Sequence, residues 1–218
     1  METKRTNIIF KLISKYWQRM NKYGIKTPNS VNEAYEFDKE NGNKLWTEGI
    51  NEEMSKVRIA VKEYNVPPDK LISYQEIGLH MIFYIKLGEN FQRRARMLAG
   101  IHTKKTSSLI TYSSAVSRYL VIIMLMVSAL NDLDLQEADI ENAYLTAPCR
   151  ENIWTVAGPE FGINEVKIFI VVGAFYGLKS SGVIFRAFLA EILYETGFKS
   201  SAADPDVWYR DAMKSDCE

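Results

Sequence analysis

The stretch Glu137-Ala-Asp-Ile-Glu-Asn-Ala-Tyr-Leu-Thr-Ala-Pro148 places the carboxylate of Asp139 at the end of an apolar run, shortly before the aromatic residue Tyr144. Apolar residues alternate with polar ones from Leu133 through Leu135 and on to Ile140, which predicts a half-buried strand that stops at Asp139. A carboxylate at such a point is either a metal ligand or a turn residue, because Asp readily hydrogen-bonds to the backbone of a turn. The spacing by itself leaves both interpretations open.

Charge is balanced over the whole chain but unevenly distributed along it. The 218 residues carry 27 basic and 27 acidic side chains, and their 47% apolar content is enough for a core in one large domain or two small ones. Residues 1–26 have seven Lys/Arg and one Glu, residues 91–118 have six Lys/Arg and no acid, and residues 131–165 have eight Asp/Glu and one Arg. Two basic patches and an acidic centre fit a polymerase, which needs cations along a phosphate backbone and carboxylates at its metals. The same distribution is equally consistent with ordinary charged surfaces exposed to solvent.

Several classes of protein are disfavoured by composition. Two cysteines, Cys149 and Cys217, and two histidines, His80 and His102, cannot form a Cys/His zinc site or a disulfide framework, so we expect a reducing intracellular setting, cytoplasmic or nuclear. The longest apolar run, Tyr119 to Leu130, is far shorter than the roughly 20 residues of a membrane-spanning helix. The amino terminus lacks the pattern of a secretory signal. We therefore expect no membrane partner.

Periodicity and turn signals predict alternating helices and strands. Ser30-Val-Asn-Glu33 has the spacing of a capping box, which predicts the start of a short helix. Pro67-Pro68 ends a second, longer helix, and Gly88-Glu-Asn90 is a turn signal between two β-like runs. The segment 114–130 is apolar on nearly every side, which predicts a buried helix. We predict helices at 30–35, 44–64, 114–130 and 181–196, strands at 79–87, 93–99, 133–140, 151–156 and 166–172, and an extended segment from Asp204. Such a set indicates an α+β fold in which two helices pack on one face of an antiparallel sheet.

Two motifs carry a resemblance to a known family. Asp139-Ile-Glu-Asn-Ala-Tyr-Leu145 resembles the first catalytic motif of reverse transcriptases. Phe175-Tyr-Gly-Leu-Lys-Ser-Ser-Gly182 resembles the (Ala/Pro)-Leu-Tyr-Gly-Leu-Lys-Gln-Ser-Pro block of copia-type retrotransposon polyproteins. Weaker matches fall in the family's order over nearly the whole chain, among them Trp46, Glu53-Met54, Arg94-Ala-Arg-Met-Leu-Ala99, Thr111-Tyr-Ser-Ser114, Gly197-Phe198 and Asp204-Pro-Asp206.

The resemblance implies a right-hand polymerase fold that is incomplete here. Residues 1–43 would form a basic amino-terminal arm and a short helix, and residues 44–218 a partial reverse transcriptase domain with fingers at about 44–105 and palm at about 106–218. The intact family enzyme is an RNA-directed DNA polymerase. Its partners would be an RNA template, a DNA primer and deoxynucleotides.

The family's chemistry is two-metal nucleotidyl transfer, which implies roles for particular residues. Asp139 would be the catalytic residue that bridges two Mg²⁺ or Mn²⁺ ions, and the Ile140 carbonyl would complete one coordination shell. Arg94 or Arg96 would face the triphosphate, although charged side chains on an edge strand also serve to block aggregation. The other implied contacts are the amides of Asn142 and Ala143 with the triphosphate, Tyr144 as a steric gate against a 2′-hydroxyl, Tyr176 and Gly177 beneath the sugar and the templating base, and Lys179, Arg93, Lys104 and Lys105 along the nucleic acid.

The sequence also departs from the family pattern. No Asp-Asp pair occurs in it, whereas the family's Tyr-x-Asp-Asp turn, with the remaining metal ligands, lies a few tens of residues beyond a segment such as Asp204 to Glu218. Gly173 and Phe185 stand where basic and Trp residues are usual. We therefore expect a fragment that is inactive by itself. The alternative is a noncatalytic remnant of a retroelement that binds nucleic acid or a partner.

Overall fold

The computed structural model describes residues 21–65, 71–87, 91–100 and 115–211. Predictions for most of the basic arm, for the Gly88-Glu-Asn90 turn, and for Lys104 and Lys105 lie outside these residues. The elements in chain order are β1 (Asn21–Lys22), β2 (Ile25–Lys26), α1 (Val31–Glu40), α2 (Leu45–Val57), a 3₁₀ turn (Arg58–Ala60), β3 (Val61–Glu63), β4 (Gln75–Glu76), β5 (Leu79–Lys86), β6 (Gln92–Ala99), α3 (Arg118–Leu130), α4 (Ala143–Thr146), β7 (Ile153–Val156), a second 3₁₀ segment (Pro159–Asn164), β8 (Ile168–Val171), α5 (Ser181–Glu195), β9 (Lys199–Ser200) and β10 (Trp208–Tyr209).

Helix α1 begins at the predicted cap and runs longer than predicted. The Ser30 hydroxyl accepts a 3.2 Å hydrogen bond from the Glu33 N–H. The Glu33 carboxylate accepts a 2.7 Å bond from the N–H of Asn29, one residue before the cap. Because side chains satisfy these amides, the helix has a defined start.

Helix α2 is shorter than the periodicity predicted. It ends at Val57, and after one 3₁₀ turn the chain enters β3, where Val61 pairs with Val171 of β8. The predicted helix continues as a 3₁₀ turn at 58–60, and the prediction of helix up to Tyr64 is wrong over its last four residues, 61–64. The backbone there hydrogen-bonds to a distant strand, and that tertiary pairing overrides the local apolar period.

The β5–β6 hairpin confirms the predicted pair of strands. Its antiparallel register runs from Leu79 opposite Ala99 to Lys86 opposite Gln92. Ala95 and Met97 of β6 are buried against α2. The helix comes very close, since a Cβ at Gly49 would lie 2.8 Å from the carbonyl oxygen of Arg93.

A four-stranded sheet has the order β3-β8-β7-β4. The two predicted core strands appear as β7 and β8, which pair antiparallel, and β3 also pairs antiparallel with β8. The short strand β4 pairs parallel with β7, so the sheet is mixed and the prediction of an antiparallel sheet is wrong at that edge. Edge strands accept either direction, because both satisfy the backbone groups of the neighbouring strand.

The segment 133–140 is not a strand. It has no regular secondary structure and every residue in it is exposed. The prediction that Asp139 ends a central strand is therefore wrong. A strand requires a hydrogen-bonded partner, and within the described part of the chain no strand pairs with this segment.

The predicted packing of the two apolar helices on the sheet is wrong for α3. No residue of α3 is buried, and Tyr119 and Leu130 are each about four-fifths exposed, at 80% and 81%. Apolar composition favours burial but does not itself supply a covering surface, and the described elements provide none for this helix. Helix α5 buries only Ser181 and Ile184, and it stops before Gly197 as predicted.

The main core lies between α1, α2, the β5–β6 hairpin and the four-stranded sheet. It includes Phe37, Trp46, Ile50, Met54, Val57, Ile85, Met97, Val171 and Phe175. A smaller cluster of Ala147, Ala174 and Ile184 packs against Tyr144, Phe185 and Phe188. The described elements form an α+β structure, and no helix among them is long and apolar enough to cross a bilayer.

Candidate functional site

Arg96 lies over two tyrosine rings at the edge of the β5–β6 hairpin. Its guanidinium carbon is 4.7 Å from the centroid of the Tyr176 ring and 5.9 Å from that of Tyr84. Alternation along β6 puts Arg96 on the face opposite the buried Ala95 and Met97, so the side chain stays accessible. A guanidinium stacked on aromatic faces has restricted motion but keeps its charge and its donors.

Tyr176 reaches this position because the turn after it packs directly on β6. The Ala99 N–H donates a 2.8 Å hydrogen bond to the Tyr176 carbonyl. Gly177 has φ of 96°, and a Cβ there would lie 2.4 Å from the Ala99 carbonyl oxygen. Only glycine satisfies both constraints, and this contact brings the Phe175–Gly182 motif against the Arg94–Ala99 stretch of β6.

Tyr144 extends the aromatic cluster. Its ring centroid is 4.9 Å from that of Tyr176 and 5.9 Å from that of Phe185. It lies on the single-turn helix α4, which follows Asn142 in a left-handed conformation at φ 55°. Asn tolerates that conformation better than most residues, so the chain can reverse there and point Tyr144 at Tyr176.

A narrow polar cleft lies beside these rings. It is lined by residues of α2, β5 and β6, by Asn142 and by Tyr176, and includes Glu52, Glu53, Lys56 and both Arg94 and Arg96. Three cations and two carboxylates therefore share one small space. The cleft can receive an anionic group where a cation is not already paired.

Arg94 and Arg96 differ in their partners. Arg94 donates hydrogen bonds to the carboxylate of Glu52 and, at 2.9 Å, to the side-chain oxygen of Gln92. No salt bridge engages Arg96 within the residues that the structure describes. Of the two arginines considered from the sequence, Arg96 is thus the one available to an added anion. Arg93 points elsewhere and donates a 3.2 Å bond to the Phe91 carbonyl.

Lys56 connects helix α2 to the segment that carries Asp139. It contacts Glu52 at 3.1 Å and Glu141 at 3.5 Å. Although burial acts to raise the pKa of Glu52, hydrogen bonds from Lys56 and Arg94 hold it below its usual range. The same carboxylates raise the pKa of Lys56 against the effect of burial. Both shifts favour the charged forms of Glu52 and Lys56.

Asp139 lies near the aromatic cluster, and the described part of the chain gathers no set of metal ligands around it. Desolvation raises the pKa of the Tyr176 phenol, and Asp139 is among the nearby charges that raise it further. Among the described residues, no three or more Asp, Glu, His or Cys side chains converge where they could hold a metal ion. One exposed carboxylate and the Ile140 carbonyl do not fit the two-metal site expected from the resemblance, since Mg²⁺ needs several preorganised oxygens.

The Phe175–Gly182 motif is held by serines that the sequence did not single out. The Ser181 hydroxyl donates a 2.6 Å bond to the Phe175 carbonyl, and the Ser180 hydroxyl donates to the Glu151 carboxylate. Lys179 is exposed at this turn. Both buried serines define the start of α5 and, through it, the position of Tyr176.

Glu53 is a buried site residue for which the sequence suggested no role beyond its place in the resemblance, although its position in the helix is unusual. Glu53 falls on the apolar stripe of α2, between Ile50 and Val57, where a charge is unusual. Its carboxylate is buried and accepts a 2.9 Å hydrogen bond from the Met97 N–H. Burial raises the pKa of Glu53, and the Met97 hydrogen bond and the nearby Arg96 oppose that effect.

Comparison with known proteins bears on both motifs. The family described as reverse transcriptase (RNA-dependent DNA polymerase) matches residues 69–215, which include Arg96, Asp139, Tyr144 and Tyr176. No solved structure shows significant similarity to the chain. Because the match covers well over half of its length, the chain belongs to the reverse transcriptase family.

Proposed function

We propose that this chain is derived from the RNA-directed DNA polymerase of a copia-type retrotransposon and that its cleft receives a deoxynucleoside triphosphate. The observation that carries the proposal is the cluster of Arg96, Tyr176 and Tyr144, which are far apart in the sequence. The Arg96 guanidinium lies 4.7 Å from the centroid of the Tyr176 ring, and the centroids of the Tyr176 and Tyr144 rings are 4.9 Å apart. A cation that forms no salt bridge among the described residues and lies beside two aromatic rings suits a ligand with phosphates at one end and a flat base at the other.

Each residue of the cluster has a distinct task in this proposal. Arg96 offsets charge on the triphosphate, and the amides of Asn142 and Ala143 donate to its oxygens. Tyr144 lies against the sugar and excludes a 2′-hydroxyl. Tyr176 and Gly177 lie beneath the sugar and the templating base.

The wider architecture is assigned in the same way. In this proposal α2 and the β5–β6 hairpin belong to polymerase fingers at about residues 44–105, and β7, β8 and α5 belong to part of a palm at about residues 106–218. Arg93, Lys179, Lys104 and Lys105 contact phosphates of an RNA template and a DNA primer, the last two being outside the described residues. The setting is intracellular, cytoplasmic or nuclear.

We further propose that the 218 residues do not polymerise by themselves. The family reaction uses Mg²⁺ or Mn²⁺ to activate the primer hydroxyl and to stabilise the leaving pyrophosphate. Asp139 and the Ile140 carbonyl would supply only some of the oxygens that such ions need. Among the described residues, Asp139 belongs to no group of three or more Asp, Glu, His or Cys side chains that could hold such ions. In this proposal the cleft therefore binds a triphosphate without turning it over.

Binding of Mg²⁺·dGTP to the purified chain tests the nucleotide site. Removing one charge-assisted contact should weaken affinity about tenfold in Arg96→Ala. Arg58→Ala is the matched control, because Arg58 is an exposed arginine outside the cleft. Isothermal titration of the parent and both variants gives the comparison. Equal affinities for all three proteins, or no binding by the parent, would contradict the proposal.

A second function is favoured by one observation. Helix α3 presents apolar side chains on every face, which is typical of a surface that another molecule covers. In that case the chain is a noncatalytic module that binds a partner or nucleic acid. Binding to a primed RNA template that weakens steeply with salt, together with no detectable binding of Mg²⁺·dGTP, would favour this function over the first.

A further inference from the structure

Glu53 is a buried carboxylate that none of the proposed nucleotide contacts uses. It is only 9% exposed and lies among the core residues of α2. A buried charge is costly unless it is hydrogen-bonded or paired, so its surroundings indicate what it does. Two neighbours account for it, the backbone of Met97 and the side chain of Arg96.

The first neighbour is the outer edge of β6. In an antiparallel pair of strands, every second residue directs its N–H away from its partner strand. The Met97 N–H is such a group, and it donates to the Glu53 carboxylate at 2.9 Å. The next outward N–H, that of Ala99, donates to the Tyr176 carbonyl at 2.8 Å. Glu53 and Tyr176 thus replace a neighbouring strand on the edge immediately after Arg96.

The second neighbour is the Arg96 guanidinium, which lines the same cleft as Glu53 without forming a salt bridge to it among the described residues. Burial raises the pKa of the Glu53 carboxyl, and the positive charge of Arg96 works against that rise. After desolvation, Arg96 and then Glu53 are the charges that act most on the pKa of the Tyr176 phenol. Carboxylate, guanidinium and phenol therefore form one electrostatic cluster, with Lys56 and Glu52 at its border.

We propose that Glu53 is a positioning residue for Arg96. Its carboxylate anchors the edge of β6 at Met97 and holds the adjacent guanidinium over the Tyr176 ring, where it is ready for a triphosphate. The triphosphate part of this inference rests on the proposed function. The position of Arg96 does not, because it can be measured without any nucleotide.

The test compares two substitutions that remove the same charge from the same helix. Glu53→Gln keeps an oxygen that can accept from Met97 but loses the negative charge. Glu48→Gln removes a charge from an exposed position of α2. In chain labelled with ¹³C-arginine, NMR at pH 7.5 reports the δ-methylene protons of Arg96, assigned by their absence in Arg96→Lys.

Ring currents from Tyr176 and Tyr84 should displace these signals in the parent and in Glu48→Gln. In Glu53→Gln they should move at least halfway to the position of free arginine, while the variant still unfolds cooperatively, as the parent does. Signals that do not move in folded Glu53→Gln overturn the proposal. Should that variant not fold, Glu53→Asp draws the carboxylate back from Met97 by one methylene, and Arg96 signals that keep the parent position in folded Glu53→Asp would overturn the proposal instead.

A double-mutant cycle links the positioning to ligand binding. Glu53→Gln should weaken Mg²⁺·dGTP binding about tenfold in the parent and have no further effect in Arg96→Ala. Equal losses in both backgrounds would contradict positioning through Arg96. If the parent binds no triphosphate, the proposed function fails, and the NMR comparison still decides the role of Glu53.

Discussion

The backbone N–H of Ala99 donates a 2.8 Å hydrogen bond to the carbonyl of Tyr176, and this bond joins the β5–β6 hairpin to a turn far along the chain. The contact places the Tyr176 ring 4.7 Å from the Arg96 guanidinium. Because Gly177 follows Tyr176 and packs on the same strand, the position of the ring depends on a backbone contact that tolerates no side chain.

Gly177→Ala should destabilise the fold by roughly 2 to 5 kcal/mol, combining left-handed strain with a clash against Ala99. Gly42→Ala is the matched control, since Gly42 also has positive φ, at 63°, but a Cβ there meets nothing within 4 Å. It should cost only about 1 to 2 kcal/mol. Urea unfolding measures the loss of stability in both variants. Equal losses would show that a Cβ at position 177 does not clash with Ala99.

Asp38 caps helix α2 from the neighbouring helix. Its buried carboxylate accepts from the Trp46 N–H at 3.0 Å, the Thr47 N–H at 2.8 Å and the Thr47 hydroxyl at 2.7 Å. Asp38→Ala should lower the free energy of unfolding by about 2 to 4 kcal/mol, because buried donors lose their acceptor. Asp38→Asn retains one acceptor oxygen and should lose less. Thermal unfolding measures the loss of stability in the two variants. A larger loss in Asp38→Asn than in Asp38→Ala would refute the prediction.

Phe185 supports the ring of Tyr144 at a centroid distance of 5.9 Å. If Tyr144 excludes a 2′-hydroxyl, Phe185→Leu should loosen that ring and reduce the preference for dGTP over GTP by several-fold, about 1 kcal/mol. Phe188→Leu removes a ring from the same cluster without a described ring contact to Tyr144. Competition binding of the two nucleotides measures the ratio. A ratio that changes equally in both variants would mean that only general packing was disturbed.

Glu53 should make stability depend on pH. Burial raises its pKa above the ordinary 4.5. Between pH 4.5 and the raised pKa of folded Glu53, the unfolded chain binds fewer protons than the folded chain. The contribution of Glu53 to stability is therefore greatest below about pH 4.5 and is lost as pH rises through the raised pKa. Glu53→Gln removes this contribution and should become more stable relative to the parent from pH 4 toward pH 7.

Urea midpoints for the parent, Glu53→Gln and Glu48→Gln across that range test this dependence. Glu48→Gln should keep the slope of the parent. Some slope should also remain in Glu53→Gln, because burial raises the pKa of Glu160 in the same direction. Parallel curves for the parent and Glu53→Gln would refute the prediction.

The chain should not extend a primer. Each missing electrostatic contact to the reacting groups lowers the rate about a hundredfold, so Asp139 by itself cannot support turnover. The assay combines a primed RNA template, deoxynucleotides and Mg²⁺ or Mn²⁺ with either the parent or Asp139→Asn. Background activity is expected for both. Extension by the parent that disappears in Asp139→Asn would show that the chain is a competent polymerase.

Local patterns in the sequence determined much of the structure. The alternating β5 and β6 runs, the cap at Ser30 and the stop at Gly197 appear where they were predicted, since each depends on a few neighbouring residues. The two motifs also identified the family, because their order and composition are properties of the chain itself.

Other features depended on groups that meet only in the folded chain. Helix α2 ends early because β3 pairs with β8, and the segment before Asp139 is not a strand because no described strand pairs with it. Helix α3 remains exposed although its composition favours burial. Periodicity reports what a segment prefers, but hydrogen-bond partners and covering surfaces come from elsewhere in the molecule.

The sequence by itself determined which residues carry charge and aromatic rings near the motifs, and only the tertiary structure decided how they combine. Both Arg94 and Arg96 alternate onto the same face of β6, yet Arg94 pairs with Glu52 whereas Arg96 stacks on Tyr176. Glu53 was visible as a charge on an apolar stripe, but its bond to Met97 required α2 to pack against the edge of β6. Such pairings depend on distances between segments remote in the chain, which no local pattern specifies.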